Sequence, residues 1–254
     1  MAGKGGSGKT SLVALMAKLA REKGFKVLVI DADESNPGIE RMLGIAALGS
    51  SVIERVGGRK LVFGEEKDAA SNFVQATVSS ILKEVENREF SLVQVGKIRE
   101  AGSGCACPHG AISRELLARP LPQDILVLVD VEAGVEHFGR AIDMRADMVL
   151  FVVDPSYAGV ELCEEAKKLS KDSSVRFLAV VNKVQDDETL AFLKDELKKR
   201  AIDVNHVIPY DEEVVRSALL GKPIKADKAL SSIEKLLKDV LKDEIGHKVG
   251  KDIK

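Results

Sequence analysis

Gly3-Lys4-Gly5-Gly6-Ser7-Gly8-Lys9-Thr10 opens the chain, and its reading governs everything downstream. The segment matches the spacing G-x-x-x-x-G-K-[ST], in which each residue type has a physical task. Glycines let the backbone curl so that successive N–H groups point at one phosphate. Lys9 supplies a positive charge for the β- and γ-phosphates, and the Thr10 hydroxyl is a ligand for Mg²⁺. An amphipathic helix follows directly, with apolar residues between Leu12 and Leu19, and it aims its positive end at the same point. Gly5, Gly6, Ser7, Gly8, Lys9, Thr10 and Ser11 are therefore the expected contacts for a nucleotide's phosphates.

Outward from this loop, short apolar runs alternate with helical stretches. Strands are expected at Lys26–Ile30, Ser91–Val95, Ile125–Val129, Asp147–Val153, Val175–Val181 and Val204–Ile208. They are apolar on both faces, as strands covered on both sides by helices must be. Helices are expected at Lys9–Lys23, Gln75–Asn87, Ala111–Ala118, Gly134–Arg145, Gly159–Leu169, Glu188–Arg200, Glu212–Leu219 and Asp227–Lys242. Repeated strand–helix–strand units give an α/β fold, a P-loop domain with a mostly parallel central sheet flanked by helices. No repeat, low-complexity stretch or linker interrupts residues 1–254, so one domain is expected. In the final helix Leu230, Ile233, Leu236, Leu237, Val240 and Leu241 form a stripe that covers the sheet or, less ordinarily, lies on a membrane surface. The polar tail from Gly246 to Lys254 is expected to fray.

Composition narrows the classes of function. Of 254 residues, 38 are basic and 40 acidic, which gives no electrostatic reason to expect nucleic acid or an anionic membrane as partner. No apolar run approaches the ~20 residues of a membrane span, and the start has no apolar signal region. The three cysteines do not make a secreted disulfide framework, so the cytoplasm is the expected compartment. Tryptophan is absent, so stacking platforms for single-stranded nucleic acid are not evident.

Two strands end in acids. Lys26-Val-Leu-Val-Ile30 runs into Asp31-Ala32-Asp33, where an acid beside a phosphate loop can orient Mg²⁺ or an attacking water. Ile125-Leu-Val-Leu-Val-Asp130 ends in an acid placed to hold Mg²⁺ together with Thr10.

Lys4 makes the loop resemble the deviant Walker A sequence of dimeric ATPases that include the Min and Par ATPases and the nitrogenase iron protein. The resemblance implies that Lys4 reaches across a homodimer interface to the partner's nucleotide. It also implies that Asp33 positions the water and that Glu132-Ala133-Gly134 is a second switch. Asn182 and Lys183, closing another strand, resemble the adenine-binding pair of that class, with Pro209-Tyr210-Asp211 as part of the base pocket. Gln185 stands where a guanine-reading Asp would be, which favours ATP. Two departures are visible. Glu34 replaces the usual proline after the acid, and only Met1 and Ala2 precede Gly3 where the class has an apolar central strand. The first strand is thus expected to be truncated: either the start lies downstream of the true one or the sheet forms with a defect.

Cys105-Ala106-Cys107-Pro108-His109 is the other informative segment. Two thiols in C-x-C supply two ligands where structural Zn²⁺ takes four, and a twofold-related chain would supply the others. A redox couple or an inert turn fits the same spacing. His109 and His137 are further possible ligands, although an ordinary surface or buried histidine is the simpler reading. Cys163 lies in a helical pattern and reads as a small core residue.

Gly102–Pro108, with Arg114-Glu-Leu-Leu117 and Asp130-Val-Glu-Ala-Gly-Val-Glu-His137, resembles the carbon monoxide dehydrogenase maturation ATPases, the CooC-type nickel-insertion factors. That resemblance runs over essentially the whole chain. It implies an ATP-hydrolysing metallochaperone that dimerises when bound to ATP or metal. Cys105 and Cys107 would bind Zn²⁺ or Ni²⁺, and a metalloenzyme such as carbon monoxide dehydrogenase would be the client. A Min/Par-type positioning ATPase and an ATP-dependent iron–sulfur carrier are the alternatives.

Overall fold

The computed structural model describes residues 1–33, 38–45, 49–56, 67–86, 88–96, 115–116, 124–134, 146–171 and 175–249. Seven strands are found among them: β1 (Ala2–Gly3), β2 (Lys26–Ala32), β3 (Phe90–Gln94), β4 (Ile125–Val131), β5 (Met148–Val153), β6 (Arg176–Val184) and β7 (Val204–Pro209). The helices among them are α1 (Lys9–Glu22), α2 (Ile39–Met42), α3 (Val52–Arg55), α4 (Lys67–Glu86), α5 (Tyr157–Ser170), α6 (Asp187–Lys199), α7 (Glu212–Leu219) and α8 (Leu230–Val249). Every strand pair is parallel, as expected for strands joined through helices.

The strands form two ladders, ordered β3-β2-β4 and β1-β5-β6-β7. β1 supplies two residues, pairing Ala2 with Phe151 and Gly3 with Val152. Met1 joins the ladders: its nitrogen donates to the Val129 carbonyl at 2.8 Å, and the Val131 N–H donates to the Met1 carbonyl at 3.4 Å. The sheet is therefore continuous at the level of the phosphate loop, where the short first strand bridges β4 and β5.

Period-two alternation decides which helices cover which face. Val27, Val29, Leu126, Leu128, Leu150 and Val152 point to one side and pack with α1 and α8. On the other side Leu28 and Ile30 pack with α3 and α4. Val149, Phe151 and Val153 pack on that side with α5 and α6. Ile233, Leu236 and Leu237 of α8 are fully buried in the first of these cores, so the stripe of the last helix covers the sheet.

Several bounds differ from expectation. α4 begins at Lys67 rather than Gln75, and α8 continues to Val249 where a frayed tail was expected from Gly246. The short helices α2 and α3 were not expected, because four residues carry no usable periodicity. The expected helices Ala111–Ala118 and Gly134–Arg145 lie almost wholly outside the described residues, as does Glu34.

Candidate active site

The phosphate loop runs from β1 into α1, and its geometry follows from what holds its back. Gly8 caps α1 with φ 98°, a backbone conformation that side chains rarely adopt. A Cβ there would also collide with the Asn182 side-chain nitrogen. The Ser7 N–H donates to the Lys4 carbonyl at 3.1 Å, and Lys9 Nζ donates to the same carbonyl at 3.2 Å. Asn182 Nδ2 donates to the Ser7 carbonyl at 2.8 Å, and Lys183 Nζ to the Gly6 carbonyl at 2.7 Å. Ser7, Lys9 and Thr10 are buried, Ser11 is half-buried in the first helical turn, and Gly5 and Gly6 stay exposed.

Burial lowers the pKa of Lys9, and the negative field of Asp130, Asp33 and Glu132 works against that. The Lys9 charge is thus supported by acids at the ends of two neighbouring strands. Lys4 points elsewhere. Its Nζ makes a 2.8 Å ion pair with Asp154 and a 3.2 Å hydrogen bond to Ser156. Ser156 also caps α5, accepting from the Gly159 N–H at 3.1 Å.

The acids sit in one corner because β2 and β4 run in register, with Asp31 opposite Asp130. Asp31 is structural: it accepts from the Asp33 N–H at 3.3 Å and from Gln94 Nε2 at 2.9 Å. That fixes the turn carrying Asp33, itself 5% exposed. Asp130 is 1% exposed, and neither carboxylate oxygen makes a well-formed hydrogen bond. Burial pushes its carboxyl up to about 6, with the Thr10 hydroxyl opposing the rise. A buried carboxylate with unsatisfied oxygens beside a threonine hydroxyl suits a hard, oxygen-loving cation such as Mg²⁺.

At the proposed base side, Pro209 ends β7 and the Tyr210 N–H donates to the Val184 carbonyl at 2.7 Å. Asp211 has a structural task there. It accepts from the N–H groups of Glu213, Val214, Asp227 and Ala229 at 2.7–3.2 Å, tying the start of α7 to the segment before α8. Cys105, Cys107, His109 and His137 lie outside the described residues. Among the described residues no group of His, Cys, Asp and Glu side chains is arranged to hold a metal ion by itself. Cys163 is fully buried and its thiol is pushed up to about 12 by burial, which makes it an inert core residue.

Sequence reasoning missed Asp154, Ser156 and Gln94. The first two had a local signal, an acid and an N-cap serine directly after an apolar strand. Gln94 had none beyond its position at the end of β3.

A phosphate loop on a parallel α/β sheet, with acids from two adjacent strands around its lysine, defines a P-loop ATPase. Residues 1–224 match the CobQ/CobB/MinD/ParA nucleotide binding domain, and the chain belongs to that family. It is 36% identical over 251 residues to an uncharacterized ATP-binding protein of Methanocaldococcus jannaschii, covering 94% of this chain and 98% of that one. It is 27% identical over 253 residues to the carbon monoxide dehydrogenase accessory protein CooC of Rhodospirillum rubrum, covering 94% and 95% of the two chains. Its fold is similar to that of the MinD cell division protein of Aquifex aeolicus, with a TM-score of 0.59 and 20% identity, covering 95% and 94% of the two chains. Among the described residues no helix is long and apolar enough to cross a membrane.

Proposed function

We propose that the chain is a cytoplasmic, nucleotide-dependent homodimeric ATPase that assists insertion of nickel into a metalloenzyme such as carbon monoxide dehydrogenase. The observation carrying this reading is the C-x-C pair, Cys105 and Cys107, in a chain similar along nearly its full length to a carbon monoxide dehydrogenase accessory protein. The loop N–H groups and Lys9 bind the phosphates of ATP, with Asn182, Lys183 and Pro209 on the base side. Thr10 and Asp130 would hold Mg²⁺, which supplies positive charge at the β- and γ-phosphates when bound. Asp33 orients the attacking water. Lys4 leaves Asp154 and reaches the nucleotide of the second chain, closing the dimer.

Cys105 and Cys107 of two chains then make one four-thiolate site, suited to Zn²⁺ or, if it flattens, Ni²⁺. A Min/Par-type positioning role is the second reading, since the family includes such ATPases. A membrane-bound version of it gains no support from α8, whose Ile233, Leu236, Leu237 and Leu241 are buried in the core. The test is metal analysis of the protein with Mg-ATP, beside the Cys105→Ser/Cys107→Ser variant. One metal per two chains, lost in the variant, is expected. Tight metal binding undiminished by the double substitution, or none under any condition, sinks the metallochaperone reading.

A further inference from the structure

A backbone loop binds an anion only while its N–H groups face inward and its carbonyls face away. Glycine makes this arrangement reachable, and it equally allows the peptide to flip and put an oxygen where a phosphate should go. Gly6 has φ 77° and nothing within 4 Å of where a Cβ would be, so sterics alone do not hold its peptide. Within the loop the Ser7 N–H of the same peptide donates to the Lys4 carbonyl at 3.1 Å, and the carbonyl side is held from β6. Lys183 Nζ takes the Gly6 carbonyl at 2.7 Å, and Asn182 Nδ2 takes the next carbonyl, Ser7, at 2.8 Å. Both groups come from the last turn of a strand otherwise committed to the core.

The backbone bends to make this possible. Lys183 has φ 62°, one of two non-glycine residues among those described with a positive φ. A lysine gains nothing locally from that conformation, which costs of order a kcal/mol or more for a residue with a Cβ, so the surroundings must impose it. The strand is also irregular here, with a register shift against β7 between Val181 and Val184. The bend places consecutive side chains, which would point to opposite faces of a regular strand, onto neighbouring carbonyls of one loop.

We infer that Asn182 and Lys183 are positioning residues that pull the Gly6 and Ser7 carbonyls back and hold the phosphate loop in its anion-binding form, whatever base the nucleotide carries. This rests on reading Gly3–Thr10 as the phosphate loop, which Lys9→Ala checks independently.

Inorganic triphosphate with Mg²⁺ is the deciding probe, because it has no base or ribose. Calorimetric titration of the wild-type protein should show binding, and Lys9→Ala should lose it. Lys183→Gly suits the bent backbone and removes the whole side chain, the amine included, from a half-exposed position. It should bind triphosphate about tenfold more weakly, the factor that about 1.4 kcal/mol produces, with no fall in melting temperature. Lys183→Arg, which keeps a donor of similar reach, should restore most of the affinity. Asn182→Ala should also weaken triphosphate binding. Unchanged triphosphate affinity in both Lys183→Gly and Asn182→Ala, with ATP affinity reduced, would show that the pair acts on the base alone and overturn the inference. A wild-type protein that binds neither ATP nor triphosphate would remove the loop reading and this inference with it.

Discussion

At Gly6 and Ser7 the backbone carbonyls each receive a hydrogen bond from β6, whereas neither oxygen of Asp130 makes a well-formed one. Both places belong to the same nucleotide site. On the loop side the carbonyls are satisfied by the protein's own donors. At the cation corner the carboxyl is buried and pushed up to about 6. On the proposed reading the loop is set by the fold, while a cation at Asp130 would tie stability to occupancy.

The largest effect should come from Lys9→Ala. It removes the buried cation of the loop, and ATP affinity should fall by about two orders of magnitude or more in a nucleotide titration, as expected for charge-assisted bonds in a partly dry site. Comparable affinity in the variant would break the reading of the satisfied side. Asp33→Ala should come next. Binding should survive while steady-state phosphate release falls about a hundredfold, an effect in the range of general-base catalysis. Hydrolysis at the normal rate would remove Asp33 from its role.

Asp130 sharpens the contrast because stability and function should move in opposite directions. The folded-state pKa of Asp130 lies above its ordinary value of 3.8. Between those two values the folded state holds more protons than the unfolded one. Stability of the nucleotide-free protein from this group is therefore full at low pH and lost as pH rises from about 4 to about 6. Asp130→Asn cannot ionise and should raise the nucleotide-free melting temperature at pH 8, less whatever is lost where Asp130 supports the Lys9 and Met1 ammonium groups. The same variant should lose the extra stabilisation that Mg-ATP gives the wild type. A variant less stable than wild type at pH 8, or one fully stabilised by Mg-ATP, would contradict the description of this corner. The smallest expected change is Gly8→Ala. It must displace the Asn182 amide and should cost about 1–3 kcal/mol in thermal or urea unfolding.

Much of this was legible from residue order. Lys9 to Leu19 announced both the loop and α1, because motif and apolar period coincide there. The acids at the ends of β2 and β4 followed from apolar runs stopping at Asp31 and Asp130. Elements without a long apolar period escaped, although Ser51 and Glu54 of α3 form a capping box that could have marked its start. The last helix reads as ending at Lys242, with a polar tail from Gly246, but continues to Val249. Bonds spanning many residues left no local trace. Lys4 meets Asp154 across a sequence separation of 150, and Asn182 meets Ser7 across 175. The place of Asn182 at a strand end is visible in the sequence, whereas its bond to the Ser7 carbonyl is not.

Lys4 connects this site to the function proposed for it. In the single chain its ammonium is held by Asp154 and Ser156, at the edge of the loop and 31% exposed. If Mg-ATP closes two chains around each other, that ion pair must exchange for one with the partner's nucleotide. Sedimentation equilibrium of wild-type protein and Lys4→Ala, each saturated with Mg²⁺ and a non-hydrolysable ATP analogue, tests this most directly. With no metal on its cysteines, the wild type should be a dimer only with nucleotide, and Lys4→Ala should bind nucleotide yet stay monomeric. A wild type that remains monomeric at saturation, or a Lys4→Ala variant that dimerises as strongly, would contradict the account.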